Sequence, residues 1–386
     1  MSFRAVWLFL IAAILPTIAS LTGKEPRQIN ESTGTFVGSI GCKSSSCHGG
    51  AGPKRSQYIT WNQKDYHTKA YVVLLNSRSE RIAEGLGLTG AQTSARCTVC
   101  HSPLQAVAPN RIASTAPPDE GVSCETCHGA AGGWLRGHTR LDWTYNTRVG
   151  AGMRDLRNLY VRATACVACH QNLAPDLLKA GHPDLFFELD SQSIAEPKHW
   201  KDEEPWSELR EWLTGQAVAL REMSWALASQ PQGDDASTAR WNGLAWLCAA
   251  TTSAANISSP VSQPSSSPAG ADFGRMQTEA DALARRASVS NWSDGAARSL
   301  LFALASLDAE FTPKGATIPA LGQRAKRLVL ALDRLIYALN KNAGFHPKIE
   351  TELNQLFQDV RSLDAFDPVG FAAHLQAFRA ALDKSG

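Results

Sequence analysis

Apolar and polar positions divide the chain into unlike halves. After Trp206, apolar residues recur three or four positions apart. Leu209, Leu213, Leu220, Met223 and Leu227 mark one face, and Leu321, Ala325, Leu328, Leu332, Leu335 and Leu339 follow a 4-3-4-3-4 spacing. That period belongs to amphipathic helices. It predicts an Ala-rich helical domain over 206–386, interrupted by a Ser/Pro loop at 258–270. Over 25–205 no such period runs for long. Gly49-Gly50, Pro117-Pro118, Gly132-Gly133 and Pro183 punctuate this half, which predicts short helices and loops with little sheet. The predicted fold class is mainly α.

A third pattern opens the chain. Arg4 is followed by an apolar run from Ala5 to Ile18, with small residues at Thr17, Ala19 and Ser20. This reads as a secretory signal peptide over 1–20, cut after Ala19 or Ser20. An uncleaved anchor is the other reading, although the run is short for a membrane span and Pro16 interrupts it. Either reading puts the bulk of the chain on the exported side, in the periplasm.

Composition adds one decisive fact. Of 386 residues, 44% are hydrophobic and 19% charged, which excludes a disordered chain, and a net charge of +2 offers nothing to nucleic acid. Nine cysteines and ten histidines are present, and eight of each lie between residues 42 and 199. The cysteines fall into four sites. Cys97-Thr98-Val99-Cys100-His101, Cys124-Glu125-Thr126-Cys127-His128 and Cys166-Val167-Ala168-Cys169-His170 have the C-x-x-C-H spacing of c-type haem attachment. Two thiols reach the vinyl groups of one porphyrin, and the adjoining His becomes the proximal iron ligand. Cys42 and Cys47 are separated by four residues, but Cys47-His48 keeps the same ending. Disulfides suit an exported chain, and for Cys42 and Cys47 a disulfide is the competing reading. Neither disulfides nor zinc sites require a His after every second cysteine. Four covalently attached haems, with their iron, are expected.

The distal ligands follow from what remains. Met153 is the one Met in this half, so Met ligation serves at most one iron. His67, His138, His182 and His199 are four spare histidines for four irons, whereas His346 and His374 lie in the helical half. His138 follows His128 by ten residues, too short a link to return over its own haem. Filling both axial positions with His closes the iron to substrate and favours electron transfer at low potential. With about 45 residues per haem, the porphyrins must pack together and form much of the core. The first half is therefore expected to be haem-packed, as a tetrahaem domain over 25–205, ahead of a helical bundle. Eight propionates bring the formal charge of the ferrous holoprotein to roughly −6.

On these residues the chain resembles the tetrahaem cytochromes of the c-554 type, electron carriers in hydroxylamine oxidation. The resemblance spans about 38–205. It rests on the four sites in order, on Trp61 and His67 after the first, on Gly121-Val122-Ser123 leading into the third, and on Ala180-Gly181-His182-Pro183 and Lys198-His199-Trp200 after the fourth. It implies a largely helical fold, stacked haem pairs and mainly bis-His ligation. The best-known member leaves one haem with an open axial position; here four spare histidines are available. The expected role is that of an electron carrier whose partner is a periplasmic redox protein or a membrane quinol-oxidising cytochrome, with no nucleic-acid partner and membrane contact only through an N-terminal anchor. The alternative is a multihaem enzyme of nitrogen-oxide or hydroxylamine chemistry with one iron lacking a distal ligand. Cys248, in Cys248-Ala249-Ala250-Thr251-Thr252, reads as a buried thiol or as a decayed fifth site.

Overall fold

The computed structural model describes residues 34–200, 204–229, 234–255, 257–258, 260–265, 267–312 and 316–384. The predicted signal segment at 1–20 lies outside them. Among the described residues the protein is mainly α, as its pattern predicts, and the one β pairing is a parallel bridge between Phe36 and Ile112. The first half carries short helices: α1 (Gln57–Lys64), α2 (Ala70–Val73), α3 (Ser77–Gly85), α4 (Ala95–His101), α5 (Cys124–His128), α6 (Tyr145–Gly150), α7 (Leu159–His170), α8 (Pro175–Lys179) and α9 (Leu189–Ala195). The second carries long ones: α10 (Ser207–Ser229), α11 (Asp235–Ala254), α12 (Gly270–Ala287), α13 (Asp294–Leu304), α14 (Ile318–Ala343), α15 (Glu350–Asp359) and α16 (Pro368–Asp383).

Local chemistry sets the helix starts. Asn158 accepts from the Tyr160 and Val161 amides ahead of α7, Asp234 from Ser237 ahead of α11, and Thr317 from Ala320 ahead of α14. These side chains satisfy amide donors that no helical carbonyl can reach. The 4-3-4-3-4 stripe of α14 is fully buried, from Leu321 to Leu339. Trp212, Trp241, Trp246, Phe311, Phe371 and Phe378 fill the bundle around it.

Helix α10 forms the wall between the two halves. One side packs on α11, α12 and α14, and the other receives α7 and α9. Ala163, Val167, Phe187 and Leu189 therefore share one apolar core with the bundle. Gly215 permits the crossing with α9, since a Cβ there would sit 2.8 Å from Leu189 Cβ and 3.1 Å from its amide nitrogen. A buried polar link secures the same junction. Arg327 of α14 donates to Glu188 at 2.9 Å and to Gln216 at 3.1 Å, and Gln216 donates to Glu188 at 2.8 Å. Elsewhere the first half has little apolar core of its own: one small cluster around Phe36 and Leu104, and another around Leu74 and Cys97.

Candidate functional site

The three C-x-x-C-H segments end three helices. Their cysteines stand three apart, and therefore on one helical face, and each helix stops at its His: α4 at His101, α5 at His128, α7 at His170. The longer first site is a closed loop instead. The His48 amide donates to the Cys42 carbonyl at 3.2 Å, and the chain folds back so tightly that a Cβ on Gly49 would lie 1.8 Å from the Lys43 carbonyl oxygen. No disulfide joins any of the nine cysteines, Cys42 and Cys47 included.

The four sites open into one cavity. It measures about 1400 Å³, and its walls include Cys42, Cys47, Cys97, Cys100, Cys124, Cys127, Cys166 and Cys169 together with His48, His67, His101, His128, His138, His170, His182 and His199. Ordinary small-molecule pockets hold roughly 300–1,000 Å³. Met153 lines the cavity too. His346 and His374 do not, standing in the bundle beside Asn340 and Asp359. Cys248 is buried in the bundle core, where desolvation pushes its thiol up to about 12.

Inside the cavity the histidines meet in four pairs, each joining a motif His to one of the spare four. Ring centroids are 6.1 Å apart for His48 and His138, 6.2 Å for His101 and His182, 6.3 Å for His128 and His199, and 6.1 Å for His67 and His170. The rings of the first pair are nearly parallel, at 13°, and those of the last are perpendicular, at 90°. None of the spare four faces the motif His that precedes it in the chain. His138 sits on a 3-10 turn at Gly137–Thr139 and crosses to the first site rather than returning to the third.

Five of the eight rings are oriented through Nδ1. His48 Nδ1 lies 3.0 Å from Gln57 Oε1, His101 Nδ1 2.9 Å from the Ala70 carbonyl, His138 Nδ1 2.5 Å from that of Leu135, and His182 Nδ1 2.8 Å from that of Pro183. A carbonyl only accepts, so Nδ1 donates and the lone pair rests on Nε2. His67 differs: its Nδ1 meets the carboxylates of Asp65 at 3.0 Å and Glu196 at 3.3 Å. Burial opposes charge on His67, yet the two carboxylates outweigh it and raise the ring to about 10. His128 and His170 are pushed down to about 4, chiefly by burial and then by neighbouring histidines. A buried neutral imidazole is a ready metal ligand.

Cysteines of different motifs also come together: the neighbouring Cys124 lowers the Cys42 thiol, and Cys169 lowers that of Cys100. Burial drives Cys127 up to about 11 and Cys166 up to about 12, with the Cys127 thiol adding to the rise at Cys166.

Several supporting residues carry no sequence signal of their own. Glu125, within the third motif, is 1% exposed and accepts from the amides of Val37, Gly38 and Ala131 at 2.6–3.1 Å. It ties the start of the described chain to the third site. Burial raises its carboxyl, and the three amides oppose that shift. Trp61 Nε1 donates to the Val122 carbonyl, and the Val122 amide to that of His67. The Trp61–His67 segment and the Gly121–His128 segment are thus one structural unit. Arg154 closes the end of α5, donating to the carbonyls of Thr126 and Cys127.

That unit is where a comparison with known families succeeds. Residues 41–129 match the family described as cytochrome c554 and c-prime. The chain resembles a multihaem c-type cytochrome. Such proteins hold haem iron covalently and work in electron transfer, and the matched residues contain the first three attachment sites with His67. The fourth site and His138, His182 and His199 lie beyond the match, so their assignment rests on the sequence pattern and the cavity. No curated protein and no solved structure matches the chain significantly.

Proposed function

We propose that this protein is an exported tetrahaem cytochrome that carries electrons between redox partners through four bis-His haem sites. The supporting observation is the fit of the four histidine pairs. Two imidazoles that shared one metal ion, with metal–nitrogen bonds of ~2 Å, would stand with their ring centres roughly 6 Å apart. All four pairs stand at 6.1–6.3 Å. Each has the two cysteines of its motif on the same cavity wall.

The haem supplies the one-electron ferric/ferrous couple; the chain holds and tunes it. His48 and His138 serve the first site, His101 and His182 the second, His128 and His199 the third, and His170 and His67 the fourth. Backbone carbonyls and Gln57 fix the tautomers and ring orientation, as the outer partners of metal-bound histidines do. Arg78, Arg96, Arg154, Arg157, Arg162 and Arg210 line the cavity and provide positive charge for propionates. All four sites face the one cavity, so the haems they would hold would stand close together. Short steps between neighbouring sites suit a relay.

Two histidines at every site would both hold the iron and leave no place for a substrate on it, which favours the carrier over an enzyme of nitrogen-oxide or hydroxylamine chemistry. The expected partner is a periplasmic redox protein or a membrane quinol-oxidising cytochrome. Among the described residues no helix is long and apolar enough to cross a membrane. The test is direct. Purified holoprotein is expected to give four haems per chain by pyridine haemochrome, a wholly low-spin ferric spectrum, and no carbon monoxide adduct after reduction. A high-spin component or an adduct would overturn the reading.

A further inference from the structure

The second partners of the eight histidines are not alike. Four of the five oriented rings donate Nδ1–H to a neutral oxygen, from Gln57, Ala70, Leu135 or Pro183. Of the five oriented cavity rings, His67 alone directs Nδ1 at carboxylates, and it meets two. The ligand atoms of Asp65, His67 and Glu196 lie within 4.8 Å of one another. Asp65 is buried, with 6% of its side chain exposed, and Glu196 retains 21%. Neither forms an ion pair with a Lys or Arg among the described residues. Both negative charges therefore act on the His67 ring with little screening.

Resting on the bis-His reading above, we propose that Asp65 and Glu196 make the site between His67 and His170 the lowest in reduction potential of the four. Two effects act in the same direction. A carboxylate that accepts from Nδ1 draws the proton toward itself and gives the ring imidazolate character, so Nε2 donates more strongly to ferric iron. Reduction also removes one positive charge from the site, and nearby negative charge favours the oxidised form. Neutral carbonyls at the other rings supply only a weak version of the first effect. Asp65 and Glu196 are positioning and tuning residues, acting through His67.

Ring geometry supplies the label that identifies this site. Perpendicular imidazoles leave the two iron orbitals that bond to them nearly equal in energy and give a low-spin ferric signal of very large g. Parallel rings split them and give a rhombic signal. His67 and His170 cross at 90°, whereas His48 and His138 lie at 13°.

The experiment is a redox titration of the holoprotein followed by electron paramagnetic resonance, on the wild type, Glu196→Gln and Asp65→Asn. The most perpendicular signal is expected to disappear last on reduction. In each variant its midpoint is expected to rise, about tenfold in the reduced-to-oxidised ratio at fixed potential, or ~59 mV for a one-electron couple. The rhombic signal is expected to keep its midpoint. Asp65 also accepts from the His67 amide at 2.8 Å and so caps that turn. If Asp65→Asn yields no holoprotein, Glu196→Gln alone decides, with haem content checked at four per chain. An unmoved midpoint in haem-replete Glu196→Gln, or a perpendicular signal that reduces before the others, overturns the proposal. His67→Ala separates the two levels. A new high-spin signal upholds ligation whatever the midpoints do, and its absence overturns both readings.

Discussion

At the scale of single residues, the four imidazole pairs carry the functional argument. Each spare His faces a motif His at a spacing that one iron would span. His67→Ala, His138→Ala, His182→Ala and His199→Ala are each expected to convert one low-spin haem into a high-spin one. Absorption and resonance spectra of the four variants check this, and a variant that stays fully low-spin removes that His from the ligand set. The wild-type resonance spectrum is a second check. One rhombic component is expected from the 13° pair, with larger-g components from pairs crossing at 59°, 71° and 90°. Four rhombic signals would contradict the ring angles.

At the scale of elements, α10 joins the cavity to the bundle. Ser207, Arg210 and Glu211 line the cavity, while Leu213, Leu220 and Met223 lie in the core. Gly215→Ala brings a methyl group against Leu189. Overpacking of this kind costs about 1–3 kcal/mol, against a helix-propensity gain of up to ~1 kcal/mol. A fall in the urea midpoint with four haems retained is the expected result; an unchanged midpoint would show that α9 shifts freely. The Glu188–Arg327 pair is a stronger test of the same junction. Both side chains are under 10% exposed, so Arg327→Leu leaves a buried carboxylate without its cation, at a cost of about 3–5 kcal/mol. Adding Glu188→Gln is expected to recover part of that loss in the same denaturation experiment, because the uncompensated charge is gone.

At the scale of the whole molecule, two kinds of core meet. The bundle is filled by Leu, Ala and Trp side chains, whereas the first half surrounds a cavity of about 1400 Å³. A chain with its eight motif cysteines changed to Ser is expected to keep the helical bundle and to lose order around the cavity. Limited proteolysis checks this, with cuts expected within 34–200 and survival of 207–384; equal resistance of both parts would show that the first half folds without haem. Charge gives a second whole-molecule test. The sequence pI is about 8.1, but eight propionates are expected to make the holoprotein acidic. Retention on an anion exchanger at neutral pH is the expected behaviour, and flow-through would mean fewer propionates or buried, neutralised ones.

Local patterns determined much of this protein. The stripe from Leu321 to Leu339 becomes the buried face of α14 because helical period alone decides which side chains align. The C-x-x-C-H segments end their helices at the His because the spacing places both thiols on one face. The eight histidines that line the cavity were legible as a set, since four motif histidines and four others cluster in one half. Which His meets which motif was not, because the pairs join residues 71–103 positions apart in sequence, and that depends on how loops cross a shared cavity. Glu125, Asp65 and Glu196 were invisible for the same reason. A carboxylate gains its role from the amides or the imidazole packed against it, and only the folded chain brings those together.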